Sequence, residues 1–125
     1  MVNSARALSI GLHPDELDYS NFPGLTKEIL LERVTAGEAA IRAQGIDFVP
    51  CYVSADPAKA EAQIRATTAD GPFRVAMIGA GIRMDAAQTP LFERLINALV
   101  ETHPGIRLCF NTSPESTVDA IRRWL

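Results

Sequence analysis

The sequence predicts one α/β domain built on a doubly wound parallel sheet. Short apolar runs alternate with helical patterns four times along the chain, and this alternation is typical of βαβ units. The length of 125 residues fits one domain, and 47% hydrophobic with 22% charged residues is ordinary for a globular protein. We therefore expect residues 1–125 to form a single domain with helices on both faces of its sheet.

The first strand and helix follow from the apolar pattern. Ala7–Leu12 is nearly continuous in apolar or small residues, as expected for a strand that is covered on both faces. A polar loop follows, and residues 26–44 then show the spacing of an amphipathic helix that ends at Gly45. The residues predicted to face the sheet are Ile29, Leu30, Val34, Ala40 and Ile41.

A proline places the second strand at an edge of the sheet. Phe48–Val53 has strand composition but contains Pro50, which cannot donate a ladder hydrogen bond. Asp56 is a suitable N-cap and Pro57 suits the first helical position. A second helix is therefore predicted from Pro57 to about Thr68.

The third strand has the composition of a central one. Residues 73–78 are solidly apolar after Arg74, and a loop is predicted over residues 79–85. A third helix then begins at Thr89-Pro90. Its double row of apolar residues is the strongest periodic signal in the chain, formed by Leu91, Phe92, Leu95, Ile96, Leu99 and Val100.

The last strand and helix complete the pattern. Residues 106–110 alternate between apolar and polar types, which suits an edge strand with one wetter face. Ser113, followed by Pro114 and Glu115, is predicted to cap a final helix that runs to Leu125. Its sheet-facing residues are predicted to be Val118, Ile121, Trp124 and Leu125.

Two central and two edge strands favour the strand order 2-1-3-4. Right-handed crossovers between sequential neighbours give this order, which is the order of flavodoxin-like, Rossmann-like sheets. In such sheets a ligand binds outside the carboxyl ends of the strands, where the winding direction reverses. Here that point lies between the first and third strands.

The loop after the third strand is the first candidate site. Gly79 and Gly81 would let the backbone approach a ligand, and Arg83 could hold a carboxylate or phosphate. Asn111 and Ser113 would lie at the rim. The motif lacks the third glycine of a dinucleotide fingerprint and the Lys-Ser/Thr of a P-loop. The alternative is a tight turn in which Arg83 pairs with the acidic loop opposite.

The loop after the first strand is the second candidate. His13, Glu16 and Asp18 lie within six residues and could supply a general acid and base. A divalent cation could also bind there. A solvated turn is the other alternative, because Pro and Asp are common turn residues.

Composition excludes several other classes. The net charge is −3 and the pI about 5.3, with no Lys/Arg cluster that would predict a nucleic-acid partner. No stretch approaches the roughly 20 apolar residues of a membrane span. Cys51 and Cys109 fall inside predicted strands, which favours buried, inert thiols and a cytoplasmic protein. The third strand ends without the carboxylate that a receiver-domain phosphoacceptor needs.

The sequence favours one function and leaves an alternative open. The first is binding of a small anionic molecule between the loops after the first and third strands, with acid/base catalysis as an extension; no cofactor is identified. The alternative is a non-catalytic, homodimeric interaction module, because exposed sheet edges and apolar helix faces invite pairing. A crevice with convergent polar groups would favour the first, and a filled switch point with an apolar outer patch the second.

Overall fold

The computed structural model describes residues 6–125 and shows a four-stranded, all-parallel sheet. Its strand order is β2-β1-β3-β4, which confirms the predicted doubly wound, flavodoxin-like arrangement. The strands are β1 (Ala7–Leu12), β2 (Phe48–Val53), β3 (Val75–Ile78) and β4 (Arg107–Phe110).

Burial explains which strands are central. Every residue of β3 is buried, as a strand covered on both faces must be. In β2, Pro50 is exposed, and in β4 Arg107 is exposed. The proline and the charged residue thus lie on the two edge strands, as the sequence predicts.

Over the described residues, five α-helices pack against the sheet. They are α1 (Lys27–Ala43), α2 (Pro57–Thr67), α3 (Ala80–Arg83), α4 (Thr89–Thr102) and α5 (Thr117–Trp124). The predicted cap of α2 is confirmed, because the Asp56 carboxylate accepts hydrogen bonds from the amides of Ala58 and Lys59. Within residues 6–125, none of the helices has the length and apolar character to cross a membrane.

The helices form two unequal layers. The α2/α4 layer packs on one face of the sheet around a large buried cluster that includes Ile10, Ile64 and Leu95. The α1/α5 layer packs on the other face around a smaller cluster that includes Ile41 and Ile121. The candidate site lies on the face of the sheet that has the smaller cluster.

Three predictions about local structure are wrong in part. Residues 79–85 are not all loop, because α3 forms there and buries Ile82 completely. Trp124 is 47% exposed and its ring packs against the Arg107 guanidinium instead of the sheet. In α1, Ile29 is 41% exposed and Ala40 is exposed, so the helix has a narrower inward face than predicted.

The final helix begins one turn later than predicted. Ser113 is the N-cap of a 3-10 turn, Pro114–Ser116, that precedes α5. Ser116 closes the turn: its amide donates to the Ser113 carbonyl, and its Oγ accepts from the Ser113 amide. Ser113 therefore caps the start of the segment, but not the α-helix itself.

Candidate functional site

A cavity of about 300 Å³ lies between α1 and the sheet and reaches the carboxyl ends of β1 and β3. Its floor includes Ser9 and Gly11 of β1, with Met77 of β3 beside them. These residues face α1 because side chains alternate along a strand, and Leu8 and Ile10 belong to the opposite layer. The cavity therefore lies at the predicted switch point, on the α1 side of the sheet.

Small residues in the floor create this space. Gly11 contributes no side chain, and a Cβ placed there would lie 3.6 Å from the nearest atom of Tyr52, an ordinary contact distance. Ser9 is only part-buried despite its position in a central strand. Two small residues below α1 thus leave a volume that larger strand residues would fill.

Two contacts hold α1 in place on either side of the cavity. On one side the helix backbone approaches the 3-10 turn so closely that a Cβ at Gly37 would lie 2.8 Å from the Pro114 carbonyl oxygen. On the other side the Tyr52 hydroxyl donates a hydrogen bond to the Glu38 carboxylate. Burial and the negative charge of Glu38 both raise the pKa of Tyr52, so the phenol keeps its proton. These two contacts hold α1 above the floor of the cavity, so the helix does not fill the space.

The walls are mainly apolar, with a few polar groups. The polar lining includes Arg33, Tyr52, Asn111 and Ser113. The apolar lining comes from α1 and from the loop after β1, and includes Leu17, Phe22, Leu25, Leu30, Val34 and Ile41. An apolar wall with a small number of polar groups is typical of sites for small organic molecules.

Four of the residues predicted for the ligand site or its rim line this cavity, namely Gly79, Gly81, Asn111 and Ser113. The backbone groups of the predicted anion cradle are partly occupied, however. The Gly79 amide donates to the Ile10 carbonyl at 2.9 Å, and the Ala80 amide donates to Asn111 Oδ1 at 2.8 Å. Both amides therefore form hydrogen bonds within the protein and are not free to bind an anion.

Arg83, the predicted anion-binding side chain, points elsewhere. Its Nη2 donates to the Asn111 carbonyl at 3.0 Å, and its guanidinium lies 5.5 Å from the centre of the Phe110 ring. Phe110 packs on the α2/α4 layer, whereas the cavity lies on the α1 side. Arg83 thus contacts Asn111 and Phe110 instead of the cavity or the acidic loop.

The acidic loop contributes Pro14 and Leu17 to the cavity wall, but its charged side chains are not among the lining residues and have local partners. Asp15 forms an ion pair with Lys27, whose ammonium lowers the pKa of that carboxyl. Asp18 accepts hydrogen bonds from the hydroxyl and amide of Ser20, which lower its pKa. Both carboxylates are therefore stabilised in the ionised form, as in a solvated turn.

The two remaining loop residues are also engaged. Glu16 accepts a hydrogen bond from the Ser54 hydroxyl at 3.3 Å, and His13 Nδ1 accepts one from the Asp15 amide at 3.1 Å. In the part of the chain that the structure describes, no group of three or more His, Cys, Asp or Glu side chains could hold a metal ion. Acid/base catalysis by His13, Glu16 or Asp18 stays a prediction.

The sequence predictions omitted Arg33 and Glu38. Both lie on the inward face of α1, which is formed by part-buried or buried residues at helical spacing: Leu30, Arg33, Val34, Gly37, Glu38 and Ile41. Two signals could have identified them. One is a pair of charges on an otherwise apolar helix stripe, and the other is a glycine inside the helix, which indicates a close backbone contact.

Arg33 forms a two-pronged ion pair at the side of the cavity. Its Nε and Nη2 donate to the two carboxylate oxygens of Glu115 at 2.8 and 2.6 Å. The guanidinium lowers the pKa of the Glu115 carboxyl to about 2, so the pair is charged at neutral pH. Glu115 belongs to the 3-10 turn whose residues Ser113 and Pro114 line the cavity.

The two cysteines are buried, as predicted. Cys51 packs in the α2/α4 layer and Cys109 in the α1/α5 layer, so the sheet separates them. Burial raises the pKa of both thiols, that of Cys109 to about 12. They are therefore poor nucleophiles.

Comparison of this chain with protein-family models, with curated proteins and with solved structures finds no match.

Proposed function

We propose that this domain binds a small anionic molecule with an apolar body in the cavity between α1 and the sheet. The observation that carries the proposal is the position of this cavity at the carboxyl ends of β1 and β3. Doubly wound sheets bind their ligands at this switch point. The sequence predicts the same place, although it assigns the anion to Arg83.

The size and chemistry of the cavity support the proposal. Its volume of about 300 Å³ is at the lower end of the range for small-molecule sites. Apolar residues form most of the wall, so a ligand gains affinity by burying a hydrocarbon body there. A cation among the polar lining residues, Arg33, suits an acidic group.

A binding experiment with a plugged cavity tests the proposal. The probes are small aromatic and aliphatic acids, and the readout is the change in backbone amide NMR shifts. In the unmodified protein we expect saturable shifts at Gly11, Gly37 and Tyr52. Val34→Trp fills the cavity from α1 and should remove them, whereas Leu31→Trp, on the exposed side of the same helix, should keep them.

A second plug guards against misfolding of the tryptophan variant. Gly11→Ala adds a methyl group to the floor at ordinary contact distance from Tyr52 and should weaken binding while the spectrum of the free protein stays native. The proposal fails if no probe produces saturable shifts. It also fails if both plugged variants bind every probe as well as the unmodified protein does.

We keep the homodimeric interaction module as a second proposal because α5 carries an exposed aromatic residue beside the β4 edge. Trp124 is 47% exposed beside Arg107 of that edge strand. Sedimentation equilibrium with Trp124→Ser alongside tests it, and a concentration-independent monomer would contradict it.

We also propose the cytoplasmic location that the sequence predicts. The two cysteine thiols are buried, unlinked and on opposite faces of the sheet, which is compatible with a reducing compartment.

A further inference from the structure

The inward face of α1 places one cation beside the cavity. Among the residues of the described chain that line the cavity, Arg33 is the only Lys or Arg. Glu38, the other charged residue of this face, accepts a hydrogen bond from Tyr52. An acidic group on a bound molecule would therefore meet its opposite charge at Arg33.

The Arg33 guanidinium already holds a carboxylate in the geometry that a ligand would need. Two parallel hydrogen bonds, of 2.8 and 2.6 Å, join its Nε and Nη2 to Glu115. This planar, two-pronged arrangement matches a carboxylate and is stronger than a single charged contact. The protein's own side chain thus shows which chemical group this edge of Arg33 accepts.

Glu115 can leave this position at little cost. Its side chain is 57% exposed and that of Arg33 is 38% exposed. The two-pronged geometry makes this pair stronger than an ordinary exposed ion pair, but water solvates both charges when the pair opens, which keeps the cost of opening low. A competing carboxylate that also buries an apolar body in the cavity has an additional source of affinity that Glu115 lacks.

We propose that the ligand is a monocarboxylic acid with a compact apolar body, and that its carboxylate replaces Glu115 on Arg33. This inference rests on the proposed function. The exchange of one carboxylate for another leaves the charge on Arg33 balanced. A phosphate dianion fits less well, because Arg33 is the single Lys or Arg among the described residues that line the cavity and the carboxylate of Glu38 belongs to the same lining.

The test compares an acid with its neutral analogues in the intact protein at neutral pH. The probe is 3-phenylpropionate, with 3-phenylpropionamide and 3-phenylpropanol as neutral bodies of the same shape. We expect the acid to bind about threefold more tightly than either analogue, because a carboxylate enclosed with its apolar body is less hydrated than the exposed Glu115 that it replaces on Arg33. Arg33→Gln should remove this preference and leave the binding of the amide and alcohol unchanged.

The two ends of the ion pair should respond in opposite directions. Glu115→Gln removes the internal competitor and should tighten binding of the acid by about threefold, since the acid no longer has to open an ion pair on Arg33. A purely structural ion pair would weaken binding from either end. Arg94→Gln, which removes an arginine from the opposite layer, is the control and should change neither ligand's affinity.

Each remaining outcome separates the inference from the proposed function. Equal affinity for acid, amide and alcohol in the unmodified protein would contradict the preference for a carboxylate but would still support binding in the cavity. Weaker acid binding in both Arg33→Gln and Glu115→Gln would overturn the exchange. Loss of the acid preference in Arg83→Gln, but not in Arg33→Gln, would move the anion to the loop after β3. Failure of every probe to bind would contradict the proposed function itself.

Discussion

Asn111 joins three elements at the carboxyl end of the sheet. It follows β4, its Oδ1 accepts from the Ala80 amide at the start of α3, and its Nδ2 donates to Thr117 Oγ1 at the start of α5. The side chain is only 6% exposed. The residue type suits this position because an amide can accept and donate at the same time. The sequence predicts Asn111 at the rim of a ligand site, and its observed contacts position the cavity wall.

Replacing Asn111 should destabilise the fold. Asn111→Ala leaves the part-buried Ala80 amide and the buried Thr117 hydroxyl without their partners, which costs about 1–3 kcal/mol of unfolding free energy. Urea unfolding at neutral pH measures this loss. Asn97→Ala is the control, because the Asn97 amide only bonds back to the Glu93 carbonyl on the exposed face of α4. Equal and small effects at both positions would contradict the role of Asn111 in joining the end of β4 to α3 and α5.

The Arg33–Glu115 pair should contribute stability in a pH-dependent way. Arg33 lowers the pKa of Glu115 from 4.5 to about 2 in the folded protein, so the native state binds fewer protons than the unfolded chain between these values. The stabilisation is therefore complete above pH 5 and is lost as pH falls towards 2. A double-mutant cycle with Arg33→Gln and Glu115→Gln should give a coupling of about 0.2–1 kcal/mol at neutral pH. Thermal unfolding across this pH range checks it, and a coupling that stays constant would contradict the assignment.

At the scale of elements, α1 differs from the other helices that cover the sheet. Its buried residues, Gly37 and Ile41, lie in its C-terminal half. In the N-terminal half the inward residues Leu30 and Val34 are only part-buried, because they line the cavity. A glycine inside a helix destabilises it by about 1 kcal/mol relative to alanine. The close contact with the Pro114 carbonyl, which leaves no space for a Cβ, explains why the helix has a glycine at position 37.

Gly37→Ala should therefore destabilise the protein despite the better helix propensity of alanine. The added Cβ would lie 2.8 Å from the Pro114 carbonyl oxygen, so the 3-10 turn must move. We expect a net loss of about 1–3 kcal/mol, as for overpacking of a close contact. The reference for propensity is Ala36→Gly, at an exposed position of the same helix, which should cost about 1 kcal/mol. A gain in stability on Gly37→Ala would contradict the close contact.

Local sequence patterns predicted the positions of the strands and helices better than they predicted which residues face the sheet. Pro50, the apolar run before Gly79 and the alternation over residues 106–110 separated edge strands from central ones, because the two kinds differ in hydrogen bonding and burial. Right-handed crossovers between sequential neighbours then gave the strand order. The short α3 was not predictable from four residues that begin with Ala-Gly, since one turn of helix has no periodicity to detect. The inward face of α1 was misjudged for a different reason. Apolar residues alone were counted, whereas Arg33, Gly37 and Glu38 form half of that face.

At the scale of the whole molecule, the strand order fixes where the two crossover directions separate. The connection from β1 through α1 covers one face, and the connections through α2 and α4 cover the other. The place of the candidate site was therefore predictable from topology. Its chemistry was not, because the choice between Arg33 and Arg83 depends on side-chain directions that the sequence does not determine. Both arginines lie near the carboxyl end of the sheet, yet only Arg33 lines the cavity.

The unequal layers should respond unequally to the same deletion. Ile64 of α2 and Ile41 of α1 are both completely buried, but Ile41 borders the cavity whereas Ile64 lies in the larger cluster. A side chain beside a cavity has fewer contact atoms to lose. We expect Ile64→Ala to cost about 4 kcal/mol and Ile41→Ala about 2 kcal/mol, the upper and lower parts of the range for such truncations. Because both changes are Ile to Ala within a helix, propensity cancels in the comparison. Urea unfolding of the two variants measures the difference, and a larger cost at Ile41 would mean that the α1/α5 layer is packed as tightly as its counterpart and that the cavity does not persist in solution.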